Sequence, residues 1–549
     1  MLSTMQDVPL TISSILRHGT TQYGDAEVVT CTGPGGAGRR ASYGEVGERV
    51  ARLAHALRSL GVTGDERVGT FMWNNQEHLE AYLAVPAMGA VLHTLNIRLF
   101  ADQIAYIANH AEDSVVIADS SLVPLLAPLL PQMRTVRTVL VVGDADLAVL
   151  AESGKDVVRY DEALSGQPSE FAWPDVDERS AAAICYTSGT TGNPKGVAYS
   201  HRSSYLHSMG VCTMNTLALS ADDRVLPVVP MFHANAWGLP YAALMAGSDL
   251  LMPDRFLQAE TLVDFIERER PTVSGAVPTI WNDVLTHLRA TPGRDISSIK
   301  RVICGGSAVP RALMEAFQHE FGVTILQAWG MTETSPLGAV ARPPRGSADE
   351  VAWSYRCTAG RLAFGVVGRL VDDEGVVLPS DGKAVGELEV RGPWVTGSYL
   401  GGEDPQRFHE GWLRTGDVGS LDPRGFFSIS DRSKDVIKSG GEWISSVELE
   451  TTLMGHPDVR EACVVGVSDE RWQERPLAAV VLTDGAEPDA AGLRGWLADR
   501  VARWWLPERW TFIEAVPRTS VGKFDKKVLR QQYNDGLLSV EQLEPMARS

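Results

Sequence analysis

The sequence predicts an α/β protein: a large N-terminal domain of wound α/β sheets that ends in a small β unit, followed by a small α+β domain. Three observations carry this prediction. The length of 549 residues exceeds what one ordinary hydrophobic core supports. Helical and strand-like patterns alternate through the first half of the chain, which is typical of a wound sheet. From about Gly365 the pattern changes to short strands joined by Gly, Asp and Pro turns.

The first strong helix signal runs from Ser42 to Gly61. Ser42 and Glu45 have the spacing of a capping box, and Gly61 ends the pattern. An apolar face recurs at helical spacing, formed by Val46, Val50, Leu53, Leu57 and Leu60. The sequence then predicts a strand at "RVGTFM", a helix around "EHLEAYLAVPAMG", and strands at "AVLHTL", "VVIAD" and "RTVLVVG". The valines in these runs indicate strands covered on both faces.

The boundary between the two domains is predicted from a change in composition. A charged segment, "DRSKDVIKSGGEWIS", follows the apolar strand "FFSIS". We place the boundary in this segment. Residues 1–431 then form the large domain, residues 438–549 form the small domain, and residues 432–437 connect them.

Bulk composition disfavours several classes of protein. A net charge of −19 argues against a general nucleic-acid binder, which needs a basic field. We expect no signal peptide and no integral membrane segment, because no suitable apolar run exists, and no HExxH metalloprotease site. The scattered cysteines form no CxxC pair, which favours a cytoplasmic protein with reduced thiols: Cys31, Cys185, Cys212, Cys304, Cys357 and Cys463.

The stretch "YTSGTTGNPKG", from Tyr186 to Gly196, is the strongest functional signal. It places four Ser and Thr hydroxyls, three glycines and one lysine in eleven residues. A Walker loop needs GK followed by Ser or Thr, but Lys195 stands between Pro194 and Gly196. A plain polar loop between two strands is a second interpretation. The third is an anion-binding loop, in which backbone N–H groups, hydroxyls and Lys195 hold a polyphosphate.

A second glycine-rich stretch, "GPGGAG" from Gly33 to Gly38, matches GxGxxG by letter. A dinucleotide-binding fingerprint needs the glycines to open a helix directly. Here the helix begins only at Ser42, after "RRA". The stretch is therefore predicted to be a turn between two strands.

The phosphate-type loop and four further motifs resemble the adenylate-forming superfamily, which contains acyl-CoA synthetases, luciferases and peptide-synthetase adenylation domains. The further motifs follow in order: "GGSAVP", "QAWGMTETS", "LRTGD" with "SDRSKDVIKSGGEWIS", and "PRTSVGKFDKK". The resemblance covers nearly the whole chain. The stretches "VPMFHANAWGLPYAALMAG" and "SGGEWISSVELE" resemble bacterial long-chain fatty acyl-CoA synthetases.

This resemblance implies a reaction in two halves that uses ATP, Mg²⁺ and coenzyme A. A carboxylate attacks the α-phosphate of ATP to give acyl-AMP, and the CoA thiol then displaces AMP. Lys523, Lys195 and Glu333 match the catalytic positions, and Thr187 and Glu333 match the Mg²⁺ side, where oxygen ligands suit a hard cation. The phosphate loop itself is Thr187, Ser188, Gly189, Thr190, Thr191 and Gly192.

The resemblance also implies a flat adenine slot beside a ribose site. Trp329 matches the aromatic residue that stacks on adenine, where the family usually has tyrosine, so the π-face is kept and a hydroxyl is lost. Asp417 matches the carboxylate that accepts from the ribose hydroxyls, and Arg432 lies just beyond it. The remaining residues matched to nucleotide binding are Gly305, Gly306, Ser307, Gln327, Gly330, Met331 and Thr332.

Further roles implied by the resemblance concern the moving domain and the acyl group. Lys434 matches a hinge, about which the small domain turns between the half-reactions. Lys438, Glu442 and Trp443 match the segment that faces the active site after that turn. Trp237 matches a gate on the acyl tunnel, and His233, one helical turn before it, is expected near the carboxylate. The family also implies a homodimer.

Alternative functions stay open at this point. A peptide-synthetase adenylation domain carries aspartate after the phenylalanine, whereas Phe232 is followed by His233. Luciferase-type oxidation needs luciferin. A non-catalytic nucleotide-binding regulator would not need both Glu333 and Lys523. The acid itself, whether long-chain, medium-chain or a short thioether acid, is not decided by the sequence.

Overall fold

The computed structural model describes residues 1, 3–187, 193–432, 435–439, 442–519 and 523–544. Through residue 200, helices and strands alternate as α1 (Ile12–Gln22), β1 (Glu27–Thr30), β2 (Arg39–Ser42), α2 (Tyr43–Ser59), β3 (Arg67–Phe71), α3 (Gln76–Ala87), β4 (Val91–Thr94), α4 (Ala101–His110), β5 (Asp113–Asp119), α5 (Val123–Leu126), β6 (Thr138–Val142), α6 (Ala148–Ala151), β7 (Asp156–Arg159), α7 (Tyr160–Leu164), β8 (Ala181–Tyr186) and β9 (Gly196–Ser200).

Strands become more frequent from the middle of the large domain onward. The elements are α8 (His201–Cys212), β10 (Arg224–Pro227), α9 (Leu239–Ala246), β11 (Asp249–Met252), α10 (Ala259–Glu269), β12 (Val273–Ala276), α11 (Pro278–Ala290), β13 (Arg301–Cys304), α12 (Arg311–Phe321), β14 (Thr324–Gly330), β15 (Leu337–Val340), α13 (Asp349–Arg356), β16 (Gly360–Leu362), β17 (Val367–Val371), β18 (Val377–Leu378), β19 (Val385–Arg391), β20 (Phe408–His409), β21 (Trp412–Leu421) and β22 (Phe426–Arg432).

The C-terminal part forms its own α+β unit. Its elements are β23 (Ile437–Ser439), β24 (Glu442–Ile444), α14 (Ser446–Leu453), β25 (Val459–Asp469), β26 (Gln473–Leu482), α15 (Ala490–Ala498), β27 (Arg509–Phe512), α16 (Lys526–Asn534) and β28 (Glu541–Gln542). Short 3-10 segments complete the described chain at Ser120–Leu122, Leu130–Gln132, Ala234–Gly238, Thr332–Thr334, Leu400–Gly402, Pro405–Arg407 and Arg503–Trp505.

The first sheet confirms the wound pattern predicted for the N-terminal half. Its strand order is β7-β6-β5-β3-β4-β8-β9, and all pairs are parallel except the hairpin of β8 and β9. The predicted capping box is present on α2, where the Ser42 hydroxyl accepts from the backbone N–H of Glu45. Val46, Val50, Leu53 and Leu57 are buried as expected, and Leu60 packs against the same core.

The second sheet contains the small β unit predicted for the end of the large domain. The strand order is β18-β17-β19-β21-β22-β16-β15-β14-β13-β12-β10-β11-β1-β2, with β20 beside β21. Strand β14 pairs in parallel with β13 and antiparallel with β15, so the late strands continue the wound sheet. In these late strands, antiparallel pairing begins at β15, before the composition change at Gly365. The "GPGGAG" stretch lies between the antiparallel strands β1 and β2, as predicted.

The small unit packs against the large domain at the end of β22. Asp431 is buried there and accepts from the backbone N–H of Ser446 at 2.8 Å. Lys526 forms an ion pair with the buried Glu450, with 2.8 Å between Nζ and Oε1. Burial raises the pKa of Asp431 despite this nearby ammonium. Strand β22 belongs to the second sheet and β23 to the third. Lys434 lies outside the described residues, so its hinge role stays a prediction.

Candidate active site

A cavity of about 530 Å³ opens where several parallel strands of the second sheet end. Ligands of wound sheets bind outside the carboxyl ends of the strands, and this cavity lies at that edge. Its walls come from the segments that follow β10, β12 and β13, from β14, and from the hairpin of β8 and β9. Lys523 and Arg518 reach it from the small unit, and Arg518 donates to Thr279 on α11 at 3.2 Å.

The base of the glycine-rich hairpin presents Thr187 and Lys195 to this cavity. The Thr187 N–H donates to the carbonyl of Lys195 at 2.9 Å, and the Lys195 N–H donates to the Thr187 hydroxyl at 3.1 Å. The Lys195 ammonium forms an ion pair with Asp404 and lies 5.3 Å from the centre of the Tyr399 ring. Ser188, Gly189, Thr190, Thr191 and Gly192 lie outside the described residues.

Glu333 is buried at the same end of the cavity and is held by two contacts. The Tyr399 hydroxyl donates to Glu333 Oε1 at 2.5 Å. The Thr396 N–H donates to the carbonyl of Glu333 at 2.8 Å. Burial and the adjacent carboxylate raise the pKa of Tyr399, which keeps the phenol protonated as a donor.

Sequence reasoning missed Tyr399, Asp404 and Arg407, which line the cavity beside Lys195 and Glu333. They lie in the segment "SYLGGEDPQRF", whose glycines and proline indicate only turns. Tyr399 and Glu333 are 66 residues apart in the chain, so no local spacing connects them.

A divalent cation fits the donors at this end of the cavity. Glu333 offers a carboxylate and Thr187 a hydroxyl, which are oxygen donors of the kind that Mg²⁺ prefers. No group of three or more His, Cys, Asp or Glu side chains that could hold a metal occurs in the described part of the chain. This agrees with the usual Mg²⁺ site, in which one or two protein ligands are supplemented by substrate phosphates and water.

The glycine motif after β13 forms another wall. At Gly305, an added Cβ would lie 2.8 Å from the carbonyl oxygen of Ala328, so only glycine fits. Gly306 has φ of +89°, and Ser307 lines an adjoining cavity between the two units. Gln327 supports this loop: its Oε1 accepts from Val309 N–H, and its Nε2 donates to the carbonyl of Thr358, each at 2.6 Å.

Trp329, Asp417 and Arg432 form a polar group next to that loop, in which Trp329 and Asp417 are buried and Arg432 is partly exposed. The Trp329 indole N–H donates to Asp417 Oδ2 at 2.8 Å, and Arg432 Nε lies 3.2 Å from Asp417 Oδ1. The carboxylate of Asp417 raises the pKa of Arg432. Three further residues predicted for nucleotide binding, Gly330, Met331 and Thr332, also line the cavity.

The wall of the cavity that carries His233 and Trp237 is built on a left-handed turn. The expectation of an ordinary helical turn between His233 and Trp237 is wrong in handedness, because Ala234–Trp237 have φ of 42°, 51°, 47° and 58°. Such a conformation is unfavourable for residues other than glycine and must be held by its surroundings. The Asn235 side chain contributes by accepting from the Tyr82 hydroxyl at 3.2 Å and from the Cys185 thiol at 3.0 Å.

The left-handed turn directs Trp237 across two glycines. Added Cβ atoms at Gly275 and Gly305 would lie 3.7 and 3.5 Å from its indole. His233 precedes the turn and is half-buried, and desolvation, with Lys523 and Arg98 as further causes, lowers its pKa to about 3. The imidazole is therefore neutral near pH 7 beside the Lys523 ammonium.

Of the predicted residues at the start of the small unit, Lys438 is described and lines neither cavity. Lys438 is exposed on β23, and its backbone N–H donates to Glu474 at 2.9 Å. Trp443 lies on β24, and its side chain is outside the described part of the chain, as is that of Glu442. Their roles stay predictions about another arrangement of the two units.

The chain is similar to known proteins over nearly its full length. Residues 16–400 match the family described as AMP-binding enzyme, and residues 448–523 match the AMP-binding enzyme C-terminal domain. The 3-methylmercaptopropionyl-CoA ligase of Ruegeria pomeroyi is 43% identical over 98% of this chain and 100% of that protein. The long-chain-fatty-acid–CoA ligase of Thermus thermophilus is 43% identical over 97% of each.

A solved structure shows the same fold. The anthranilate CoA ligase AuaEII in complex with anthranoyl-AMP superposes with a TM-score of 0.86 and 25% identity, covering 97% of this chain and 100% of that one. Both units of the present chain are therefore included in the likeness.

Replacing Tyr399 with Phe is expected to weaken the binding of Mg²⁺ together with ATP about tenfold, since a hydrogen bond to a charged group is lost and the ring stays. Calorimetric titration with ATP, in Mg²⁺ and in EDTA, measures this. The loss should be largest in Mg²⁺ because Tyr399 contacts Glu333. Tyr355→Phe is the matched control, since Tyr355 packs on Phe426 outside the cavity. Equal losses with and without Mg²⁺ would contradict this role.

Proposed function

The chain belongs to the AMP-binding enzyme family, and on that basis we propose that it joins a short or medium-length apolar acid to coenzyme A. It is an acid–thiol ligase of the AMP-forming type. ATP and a carboxylic acid give acyl-AMP and pyrophosphate, and coenzyme A then gives acyl-CoA and AMP. Formation of the mixed anhydride makes the acyl carbon reactive towards the thiol, because AMP is a far better leaving group than the oxygen of a free carboxylate.

We assign the first half-reaction to the residues at the phosphate end of the cavity. Lys195 and Lys523 would neutralise charge at the α-phosphate and the attacking carboxylate, and the hydroxyls of the hairpin loop would bind the polyphosphate. Mg²⁺, held by Glu333 and Thr187, would supply Lewis-acid stabilisation of the phosphate charge. Both Lys523 and Glu333 border one cavity, which favours catalysis over a regulator that only binds nucleotide.

The nucleotide would lie between the glycine loop and Trp329. Gly305 and Gly306 allow close approach of the backbone, and Asp417 with Arg432 lies where the ribose is expected. His233 and Trp237 border the acid. In this assignment His233 is a neutral donor or acceptor beside the carboxylate, which agrees with its lowered pKa.

The observation that carries the choice of acid is the position of Trp237. Its indole lies over Gly275 and Gly305, and the same cavity has an apolar lining formed by Val211, Leu217, Val228, Val229, Ile303 and Leu337. Glu333 and Asp404 are the only carboxylates among the described lining residues, and both lie at the phosphate end. An amino acid would therefore find no counter-ion for its ammonium group, whereas an alkyl or thioether chain fits.

Similarity to relatives does not distinguish between short and long acyl chains in the substrate. One relative named for a short thioether acid and one named for long-chain fatty acids are each 43% identical to this chain. With Trp237 in its present position, the 530 Å³ cavity must hold phosphates and acid together. We infer that short and medium acids bind in this arrangement and that longer acids require the indole to move.

A substrate panel tests the proposed acid class. Wild-type protein is expected to show higher kcat/KM for 3-(methylthio)propionate and octanoate than for palmitate, measured by pyrophosphate release. Trp237→Ala should raise the value for palmitate relative to the shorter acids, since a gate affects acyl binding more than transition-state charge. Trp504→Ala, a partly exposed tryptophan outside the described cavities, is the control. A parallel loss at every length, complete inactivity, or a wild-type preference for palmitate would contradict the proposal.

The role of Lys523 is tested by separating the half-reactions. Lys523→Ala should slow acyl-AMP formation about 10²–10³-fold, the usual cost of removing one preorganised charge contact. Thioester formation from supplied acyl-AMP should be nearly unchanged, because the small unit would present another face to coenzyme A. Lys527→Ala, which changes an exposed lysine on α16, is the matched control. Rapid-quench measurement of each half decides, and equal loss of both halves in a folded variant would count against the assignment.

We further propose a homodimer and a cytoplasmic location. The proposal of a dimer is based on the family resemblance. The proposal of a cytoplasmic location is based on the six free cysteines, because thiols stay reduced in that compartment. None of the helices in the described ranges is long and apolar enough to cross a bilayer. Light scattering at micromolar concentration is expected to give twice the 59.5 kDa mass of one chain. A mass that stays at one chain would reject the dimer.

A further inference from the structure

Trp329 contacts a carboxylate as well as lining the cavity. Its indole N–H donates to Asp417 Oδ2 at 2.8 Å, and both side chains are nearly inaccessible, with exposures of 8% and 3%. A hydrogen bond to a charged group is stronger than one between neutral groups, and water does not compete for it here. Phenylalanine at this position would keep an aromatic face and lose this donor.

Among the described residues, one donor approaches the second oxygen of Asp417. Arg432, its cross-strand neighbour between β21 and β22, places Nε 3.2 Å from Oδ1. A carboxylate has about four acceptor positions, and these two contacts use two of them. Two positions are left for further donors, the number that the two hydroxyls of one ribose supply.

The surroundings of Trp329 fix the direction of its N–H. A Cβ atom added at Gly338 would lie 2.3 Å from Cζ3 and 2.4 Å from Cε3 of the indole. The benzo edge of Trp329 therefore occupies the space that a side chain at position 338 would need. Phe427 packs edge-on to the indole at 6.1 Å between ring centres. The ring is therefore wedged from Gly338 toward Asp417, with little freedom to rotate.

We propose that Trp329 is a positioning residue for the ribose site: its indole N–H fixes the Asp417 carboxylate so that the free acceptor positions face the ribose hydroxyls. This inference rests on the proposed assignment of Asp417 to the ribose. It adds to Trp329 a function that stacking on adenine does not require, since stacking needs only the π-face.

A comparison of ATP with 2′,3′-dideoxy-ATP distinguishes a positioning role of Trp329 from a role in stacking on adenine. Calorimetric titration of Trp329→Phe with ATP and with 2′,3′-dideoxy-ATP, without acid present, gives two dissociation constants. ATP should bind about tenfold more weakly than to wild type, as expected for loss of a hydrogen bond to a charged group. Dideoxy-ATP should lose much less, because it has no hydroxyls for Asp417 to bind. Equal losses for both nucleotides, or no loss for either, would overturn the proposal.

A second variant covers the case in which Trp329→Phe does not fold. Gly338→Ala keeps the indole but forces it to move, and the same selective loss for ATP is expected. Asp417→Asn tests the underlying assignment. If that variant weakens both nucleotides equally, the ribose assignment fails. If it is selective for ATP and the Trp329 and Gly338 variants are not, only the positioning role fails.

Discussion

The two-sided pairing of β14 is the constraint on which the arrangement of the site depends. On one side β14 is parallel to β13, which places it among strands whose carboxyl ends deliver Gly305 and the segment containing His233. On its other side it is antiparallel to β15, which connects it to the strands that carry Asp417 and Arg432. Groups from a wound sheet and from an antiparallel sheet therefore meet at the end of one strand. A register slip at β14 would separate them.

The local charge of the cavity lining is positive, whereas the net charge of the whole chain is negative. The net charge is −19, yet the described lining residues include six cationic side chains and only two carboxylates: Arg98, Lys195, Arg407, Arg432, Arg518 and Lys523, with Glu333 and Asp404. A local cluster of cations in a partly buried cleft attracts anions at short range, where the distant negative surface is screened by salt. Binding of a polyphosphate thus depends on these few residues. Because Lys523 and Arg518 belong to the small unit, the field is complete only when that unit is docked.

Local patterns in the sequence predicted the local elements well. The capping box at Ser42 and the valine-rich strands are decided within a few residues, and the structure confirms them. Most of the site residues that the motifs predicted, within the described part of the chain, line the cavity. Contacts between distant segments were not accessible: Tyr399 meets Glu333, and Trp329 meets Asp417, through folding that no spacing encodes. The left-handed turn before Gly238 was missed because neither alanine nor tryptophan signals positive φ; tertiary contacts of Asn235 hold it. The antiparallel strands of the predicted β unit extend the second sheet, a membership that composition alone does not reveal.

The ammonium of Lys195 already has an anionic partner in this structure, the carboxylate of Asp404. In the assignment proposed above, a phosphate that reaches Lys195 would displace the carboxylate of Asp404, and the ammonium would pass from one anion to another. Departure of an anion is the reverse exchange, in which Asp404 recovers its partner and no isolated cation is left partly buried. The affinity for phosphate is then set by the difference between two anions. In this view Asp404 acts as an internal competitor that moderates binding and eases release of the leaving group.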